Sequence, residues 1–363
     1  MPESRKTSRF FLSANPPEGL LTRYDRLYQP DEGWKAVILA GGAGACASDI
    51  LEKAGHMLEE AGSPVEYILS SIHSDRLDAV AAADRKLCVI DSSPPHSLSP
   101  EYPGIVESVV NMGDFWDEKA LSRNRDAVLT FSARMDASCD RAYRFLSAAS
   151  SLTGDTTRLA LDCADTLKLE TYAAHLAKRE FPSKNRQGKE TLRFLTAVTP
   201  DGVVNLFDSV TASYSRVFAI EDEYGIGKTL VSKLRSAALS AGYDVISCNC
   251  PLFPEEKPEH LLIPERSTAF VTSSHYHRYT GPVFRHVHMR RFLDSDLIRL
   301  RRPRISFNRR ASRQLIDESI LLLSDARASY DMIQSCYTDA TDSDAAASRA
   351  ETILRRLIEA GNE

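Results

Sequence analysis

The 363-residue sequence predicts an α/β fold built twice: two tandem units with parallel sheets, each followed by a helical hairpin. Three observations predict it. The chain repeats itself, residue 87 aligning on residue 268 at a spacing of about 181. Each copy reads apolar strand, glycine-containing loop, amphipathic helix, strand. Each copy then runs into a long stretch of helical periodicity with few breakers, at 118–180 and 310–360.

In chain order, the opening run Arg9–Gly19 (RFFLSANPPEG) recurs as Arg193–Gly202 (RFLTAVTPDG). Trp34–Leu39 and Arg216–Ile220 are short apolar strands. Helix patterns follow, with Ile50, Leu51, Ala54 and Leu58 on one apolar face and Leu230, Val231, Leu234 and Ala238 on the other. Each helix stops at a glycine, Gly62 or Gly242, suited to the left-handed cap. Strands follow at Val65–Leu69 and Val245–Cys248, and Leu87–His96 aligns without a gap on Thr268–His277. Strand–helix–strand units with right-handed crossovers imply parallel sheets covered on both faces. The first helical stretch is expected to break at Thr153-Gly154-Asp155, the second at 338–343. The polar linker Phe181–Lys189 separates a unit at 1–184 from one at 190–363.

Composition excludes several classes. Hydrophobic residues make up 43% and charged residues 26%, which is globular and not disordered. A net charge of −5 argues against general polyanion binding by the whole molecule. No apolar run approaches the ~18 residues of a membrane helix, and the N-terminus, MPESRKTSRF, lacks an apolar signal core. Seven cysteines without a regular framework fit a reduced, cytoplasmic protein; the one close pair, Cys248 and Cys250, reads as strand packing.

The chemistry concentrates at Val217–Leu234, VFAIEDEYGIGKTLVSKL. An apolar strand, a loop holding Gly225 and Gly227, and Lys228-Thr229 at the start of a helix form the pattern of a phosphate-binding loop. Backbone N–H groups and the helix N-terminus face phosphates, Lys228 reaches the terminal phosphates, and the Thr229 hydroxyl holds Mg²⁺. Where that pattern wants a glycine five residues before Gly227, this chain has Asp222. The first copy is complementary. It keeps Gly41, Gly42, Gly44 and Ser48 but has Cys46 and Ala47 where the second glycine and the lysine belong. It also keeps Asp91 at a strand's C-terminal end, the usual second Mg²⁺ contact, where the second copy has Thr272. Of the loop acids Glu221, Asp222 and Glu223, Glu223 is the candidate replacement for that metal contact; the alternative is that all three are solvated. His96 and His277 hold matching positions beyond a strand end, where open α/β sheets bind ligands. They are candidates to contact a γ-phosphate or move a proton, or to bond loop backbone. A composite site, with Asp91 completing Lys228, is a further expectation.

Arg285–Arg313 is a basic block in an acidic chain, with ten arginines and two histidines. It is a candidate surface for nucleic acid, for an acidic protein partner, or for phosphate in the other repeat. Thin aromatic interleaving gives little support to base stacking.

These motifs together resemble the bacterial tandem P-loop NTPase-like proteins, a family of uncharacterised ATPases or nucleotide kinases. The resemblance is carried by Phe10–Gly19 and Phe194–Gly202, Gly41–Ser48 and Asp222–Thr229, Asp91–His96, Tyr102-Pro103-Gly104, Asn111–Trp116, and His260–Glu265. It implies two P-loop domains and ATP or another nucleoside triphosphate as ligand, with Mg²⁺. The expected function is nucleotide binding at the second repeat, with hydrolysis weak or lost. The alternative is a non-catalytic interaction protein on decayed NTPase domains, engaging nucleic acid or an acidic partner through its arginines.

Overall fold

The computed structural model describes residues 7–41 and 46–360. The first half contributes β1 (Ser8–Phe11), the short hairpin β2 (Ser13–Ala14) and β3 (Leu21–Thr22), β4 (Lys35–Ala40), α1 (Ala47–Glu60), β5 (Glu66–Leu69), β6 (Leu77–Ala82), β7 (Leu87–Asp91) and β8 (Glu107–Asn111). The second half matches it. It holds β9 (Glu190–Arg193), the hairpin β10 (Thr196–Thr199) and β11 (Gly202–Asn205), α5 (Phe207–Ser213), β12 (Arg216–Glu221) and α6 (Gly227–Ser240). Then come β13 (Val245–Cys250), β14 (Phe253–Ile263), β15 (Thr268–Ser273) and β16 (Arg285–His288). The sheet orders are β1-β5-β6-β7-β4-β8 and β9-β13-β14-β15-β12-β16, the same path twice.

Neither sheet is all-parallel, which corrects the sequence expectation. β6 pairs antiparallel with β5 and β7, and β14 pairs antiparallel with β13 and β15. The reason is loop length. Only residues 83–86 join β6 to β7 and only 264–267 join β14 to β15, whereas a parallel connection needs a crossover of a dozen residues or more. Each short link closes on a left-handed residue at the same repeat position, Lys86 (φ 53°) and Ser267 (φ 46°). The remaining neighbours in both sheets are parallel.

The helices also depart from the expected hairpins. α2 (Glu118–Arg123) leads into α3 (Arg125–Leu161), which runs through Thr153-Gly154-Asp155 without a break. There the hydroxyls of Thr153, Thr156 and Thr157 donate to carbonyls one turn back. Asp155 accepts from Arg304 and Asn308 of α7 (Ser295–Thr338), both at 2.8 Å. The break falls instead before α4 (Thr166–Glu180); the second, between α7 and α8 (Ser343–Ala360), lies where the sequence places it.

α3 packs along α7 rather than folding back on α4. Thr153 meets Ser312 while Asp155 meets Asn308, so the two helices run antiparallel. Small buried residues at the seam, Ala142, Ala149, Ser312 and Ser319, permit the close approach. The outer helices then cross over. α4 lays Leu169, Ala173 and Leu176 against α6 and the second sheet, whereas α8 lays Ala346, Ala350, Ile353 and Leu354 against α1 and the first sheet. Each half is completed by the other's arm or by its own neighbour's. The second half's last helix covers the first sheet, and the first half's last helix covers the second.

Matched contacts make the arrangement a pseudo-twofold. Phe11 and Phe194 exchange reciprocal backbone bonds at 2.9 Å, which gives the repeated opening motif its role at the junction. Trp116 bridges Thr341, and Ala164 bridges Leu293. Four aspartates, Asp117, Asp165, Asp294 and Asp342, accept first-turn amides where a helix begins. No helix among the described residues is long and apolar enough to cross a membrane.

Candidate functional site

The Gly-Lys-Thr loop sits at the C-terminal end of β12, where open α/β sheets place ligands. Its backbone amides do converge on an anion, and that anion is the side chain of Asp222. Oδ1 accepts from the amides of Tyr224 (3.1 Å), Gly225 (2.9 Å) and Ile226 (3.2 Å), and Oδ2 accepts from Gly227 (2.7 Å). Asp222 is 3% exposed. Burial pushes its carboxyl up, while Lys257 and the amide donors pull it back. The glycines follow from this packing. A Cβ on Gly227 would stand 2.8 Å from Asp222 Oδ2, and one on Gly225 (φ 83°) would stand 2.4 Å from Thr157 Oγ1. Lys228 and Thr229 are half-buried on the first turn of α6, their side chains without a hydrogen bond or ion pair among the described residues.

The other expected ligands do not gather there. Glu221 bonds His286 (2.6 Å) and His288 (2.8 Å) on β16. Glu223 is exposed, 3.8 Å from Arg309 of α7. Asp91 lies in the first half at the end of β7, under Tyr330 of α7, whose hydroxyl bonds the Pro94 carbonyl. Arg309 and Tyr330 are 21 residues apart on one helix, roughly 30 Å at ~1.5 Å per residue. Asp91 and Lys228 therefore share no composite site, and Thr229, Glu223 and Asp91 do not form one metal shell. Asp91 accepts from the Ser93 amide at 2.9 Å, and burial raises its carboxyl to about 6. Gly41 (φ 81°) packs by Trp116, and the Ser48 hydroxyl accepts from the Leu77 amide at 3.1 Å, so it anchors β6. Gly42 and Gly44 lie outside the described residues.

His96 and His277 hold equivalent places, each 6% exposed. Each faces a buried acid from the inserted antiparallel strand. His96 Nε2 lies 3.5 Å from Asp78 Oδ2, and His277 Nε2 lies 3.7 Å from Glu259 Oε1. The sequence reading missed both acids, although the 181-residue offset, continued upstream from Leu87 and Thr268, aligns Asp78 on Glu259.

Around Glu259 the second half is densely polar. Lys257 Nζ donates to Glu259 Oε1 at 2.9 Å in a buried ion pair. Burial works to raise Glu259, but Lys257 and the two histidines outweigh it and bring the carboxyl down to about 2. Burial drives His260 to about 3 and His275 to about 4, so both rings are neutral. Thr272 sets the tautomer of His260. Its amide donates to His260 Nδ1 at 3.1 Å, which leaves the His260 proton on Nε2. His277 Nε2 is buried without a hydrogen-bond partner.

Ligand atoms of Glu259, His260 and His277 lie within 4.8 Å of one another, the spacing of a metal site. The donor set does not fit one. The protonated Nε2 of His260 offers no lone pair, and the Lys257 ammonium already holds the same carboxylate. Cys248 and Cys250 are buried free thiols, consistent with strand packing. A cavity of about 60 Å³ opens beside this cluster, between the Asp222 loop, α3 and α7.

The basic block divides. Arg304 binds Asp155, Arg299 lies 3.1 Å from Asp296, and Arg313 donates to the His275 carbonyl. Arg301, Arg302 and Arg310 are exposed on α7 without an ion pair among the described residues, beside exposed Leu297, Leu300 and Phe307. Comparison with family models, curated proteins and solved structures gives no match to this chain. What the site does is argued from its own geometry.

Proposed function

We propose that this chain is a P-loop NTPase-like protein whose phosphate cradle is filled by its own carboxylate, and that it works as a non-catalytic interaction protein. One observation carries the reading: the four amides that would hold a phosphate are spent on Asp222. A phosphate entering there must displace a buried, multiply bonded carboxylate of its own charge sign. The first half supports the same reading, with Cys46 and Ala47 in place of the glycine and lysine of a phosphate loop. The exposed Arg301, Arg302 and Arg310, interspersed along α7 with exposed Leu297, Leu300 and Phe307, favour an acidic protein partner over nucleic acid, because neighbouring apolar side chains add contact area that a phosphate backbone cannot use.

A second reading keeps Mg-nucleotide binding at Lys228 and Thr229, both without partners among the described residues, with Asp222 swinging away on binding. One experiment separates them: calorimetric titration of ATP and GTP, with and without Mg²⁺, into the full chain, Asp222→Gly and Lys228→Ala. The expected result is no binding to the wild type at about 1 mM nucleotide and gain of binding in Asp222→Gly. Magnesium-dependent binding by the wild type that disappears in Lys228→Ala overturns the proposal.

A further inference from the structure

The two acid–histidine pairs differ in their donors, and one difference is a hydroxyl. In the first half Tyr24, five residues after Gly19, donates its hydroxyl to Asp78 at 2.5 Å while its ring packs on His96 with centroids 5.6 Å apart. In the second half Phe207, five residues after Gly202, packs its ring on His277 at 5.9 Å and has no hydroxyl to give. The acid there is left short. Glu259 Oε2, His260 Nε2, His277 Nε2, both ring nitrogens of His275 and Thr196 Oγ1 are all buried without a partner. Glu259, His275, His277 and Thr196 line the cavity under α3 and α7, whose other walls include Val198, Val203, Leu252 and Ile316. Unmatched buried polar atoms of this number are costly unless an occupant satisfies them.

We propose that this cavity binds a small neutral diol or triol with neighbouring hydroxyls, one of which takes the place of the Tyr24 hydroxyl. The hydrogen-bond inventory selects that chemistry. One hydroxyl donates to Glu259 Oε2, and a neighbouring hydroxyl bonds His277 Nε2. His275 supplies one further donor and one further acceptor, and the aliphatic walls meet the carbon skeleton. An anionic ligand would face Glu259 and Asp222. A metal cation would face Lys257 and a protonated imidazole nitrogen. The cavity shares a wall with the amide cradle at Asp222, Tyr224 and Gly225, while the hydrogen-bonding atoms invoked here belong to Glu259, His275 and His277.

The test titrates ethylene glycol, 1,2-propanediol and glycerol into the full chain, followed by calorimetry and ligand-observed NMR, with D-glucose as an oversized control and Zn²⁺ as a separate titrant. At least one diol or triol is expected to saturate in the millimolar range. Phe207→Tyr, which returns the missing hydroxyl to Glu259, is expected to weaken it roughly tenfold or more with the far-UV spectrum unchanged. Should Phe207→Tyr fail to fold, His275→Phe at the cavity wall carries the same expectation. The proposal is overturned if no probe saturates by about 50 mM, if a folded variant binds as the wild type does, or if Zn²⁺ binds stoichiometrically and is lost in His277→Ala.

Discussion

The C-terminal edges of the two sheets began as copies and now solve the same problem with different partners. At the first edge, Asp78 accepts from Tyr24, Asp91 is buried and accepts from the Ser93 amide, and Tyr330 of α7 closes over the top. At the second edge, Thr272 replaces Asp91, Lys257 neutralises Glu259, and two further histidines stand around a cavity. The first edge gives its acid an aromatic hydroxyl and the second gives its acid a lysine, and both keep buried histidine nitrogens without a hydrogen-bond partner. The two halves share one scaffold and differ in how the charges at its edge are paired.

The largest expected effect breaks the comparison at its scaffold. Removing α8 by truncation after Thr341 strips Ala346, Ala350, Ile353 and Leu354 from the first sheet. At about 2 kcal/mol for each large buried aliphatic, with the covered strands and α1 also exposed, loss of more than ~5 kcal/mol is expected, enough to unfold a domain of ordinary stability. Both tryptophans, Trp34 and Trp116, lie in the first half. A truncated chain with unshifted tryptophan emission and an unchanged melting temperature would show that the crossed-over helix is dispensable.

Next in size is Lys257→Met. It leaves Glu259, 2% exposed, as an uncompensated buried charge, at a cost of about 3–5 kcal/mol. The double variant Lys257→Met/Glu259→Gln should recover much of that loss. Denaturant midpoints read both, and equal midpoints for the single variant and the wild type would show that the pair contributes nothing to the second edge.

The smallest effect has the opposite sign. Asp91 is raised from 3.8 to about 6, so its neutral form favours the fold. That contribution is complete below about pH 4 and is lost as pH rises through 6; at pH 7 the buried charge destabilises the protein. Asp91→Asn, which keeps an oxygen for the Ser93 amide, should therefore gain about 1–3 kcal/mol at pH 7 and nothing near pH 4. Glu259 and His260 act inversely, since both are depressed. The second edge loses stability on acidification, His260 from about pH 6.5 toward 3 and Glu259 from about 4.5 toward 2. A pH-independent gain in Asp91→Asn would remove this asymmetry.

Much of this was legible in the residues. The repeat, the strand–loop–helix order, the break at 338–343 and the equivalence of His96 with His277 are local or periodic signals, and a chain that repeats its pattern must bury the same faces twice. The antiparallel strands β6 and β14 were missed because their apolar runs are short and β14 carries Pro254, Glu255, Glu256 and Pro258, which read as loop. Asp222 looked like a defect in a glycine pattern; its role as the cradle's occupant needed the backbone to curl around it.

The sequence by itself determined the duplicated α/β design, its helix caps and the placing of Ala47 where the second half has Lys228, because propensity, periodicity and residue identity act over a few neighbours. Only the tertiary structure decided which helix covers which sheet, that Asp91 and Lys228 stand at opposite ends of the α3–α7 pair, and that Glu259 lacks the hydroxyl that Asp78 has. Those outcomes depend on contacts between residues more than a hundred positions apart, where the burial of apolar faces and the satisfaction of polar atoms are settled for the whole chain at once.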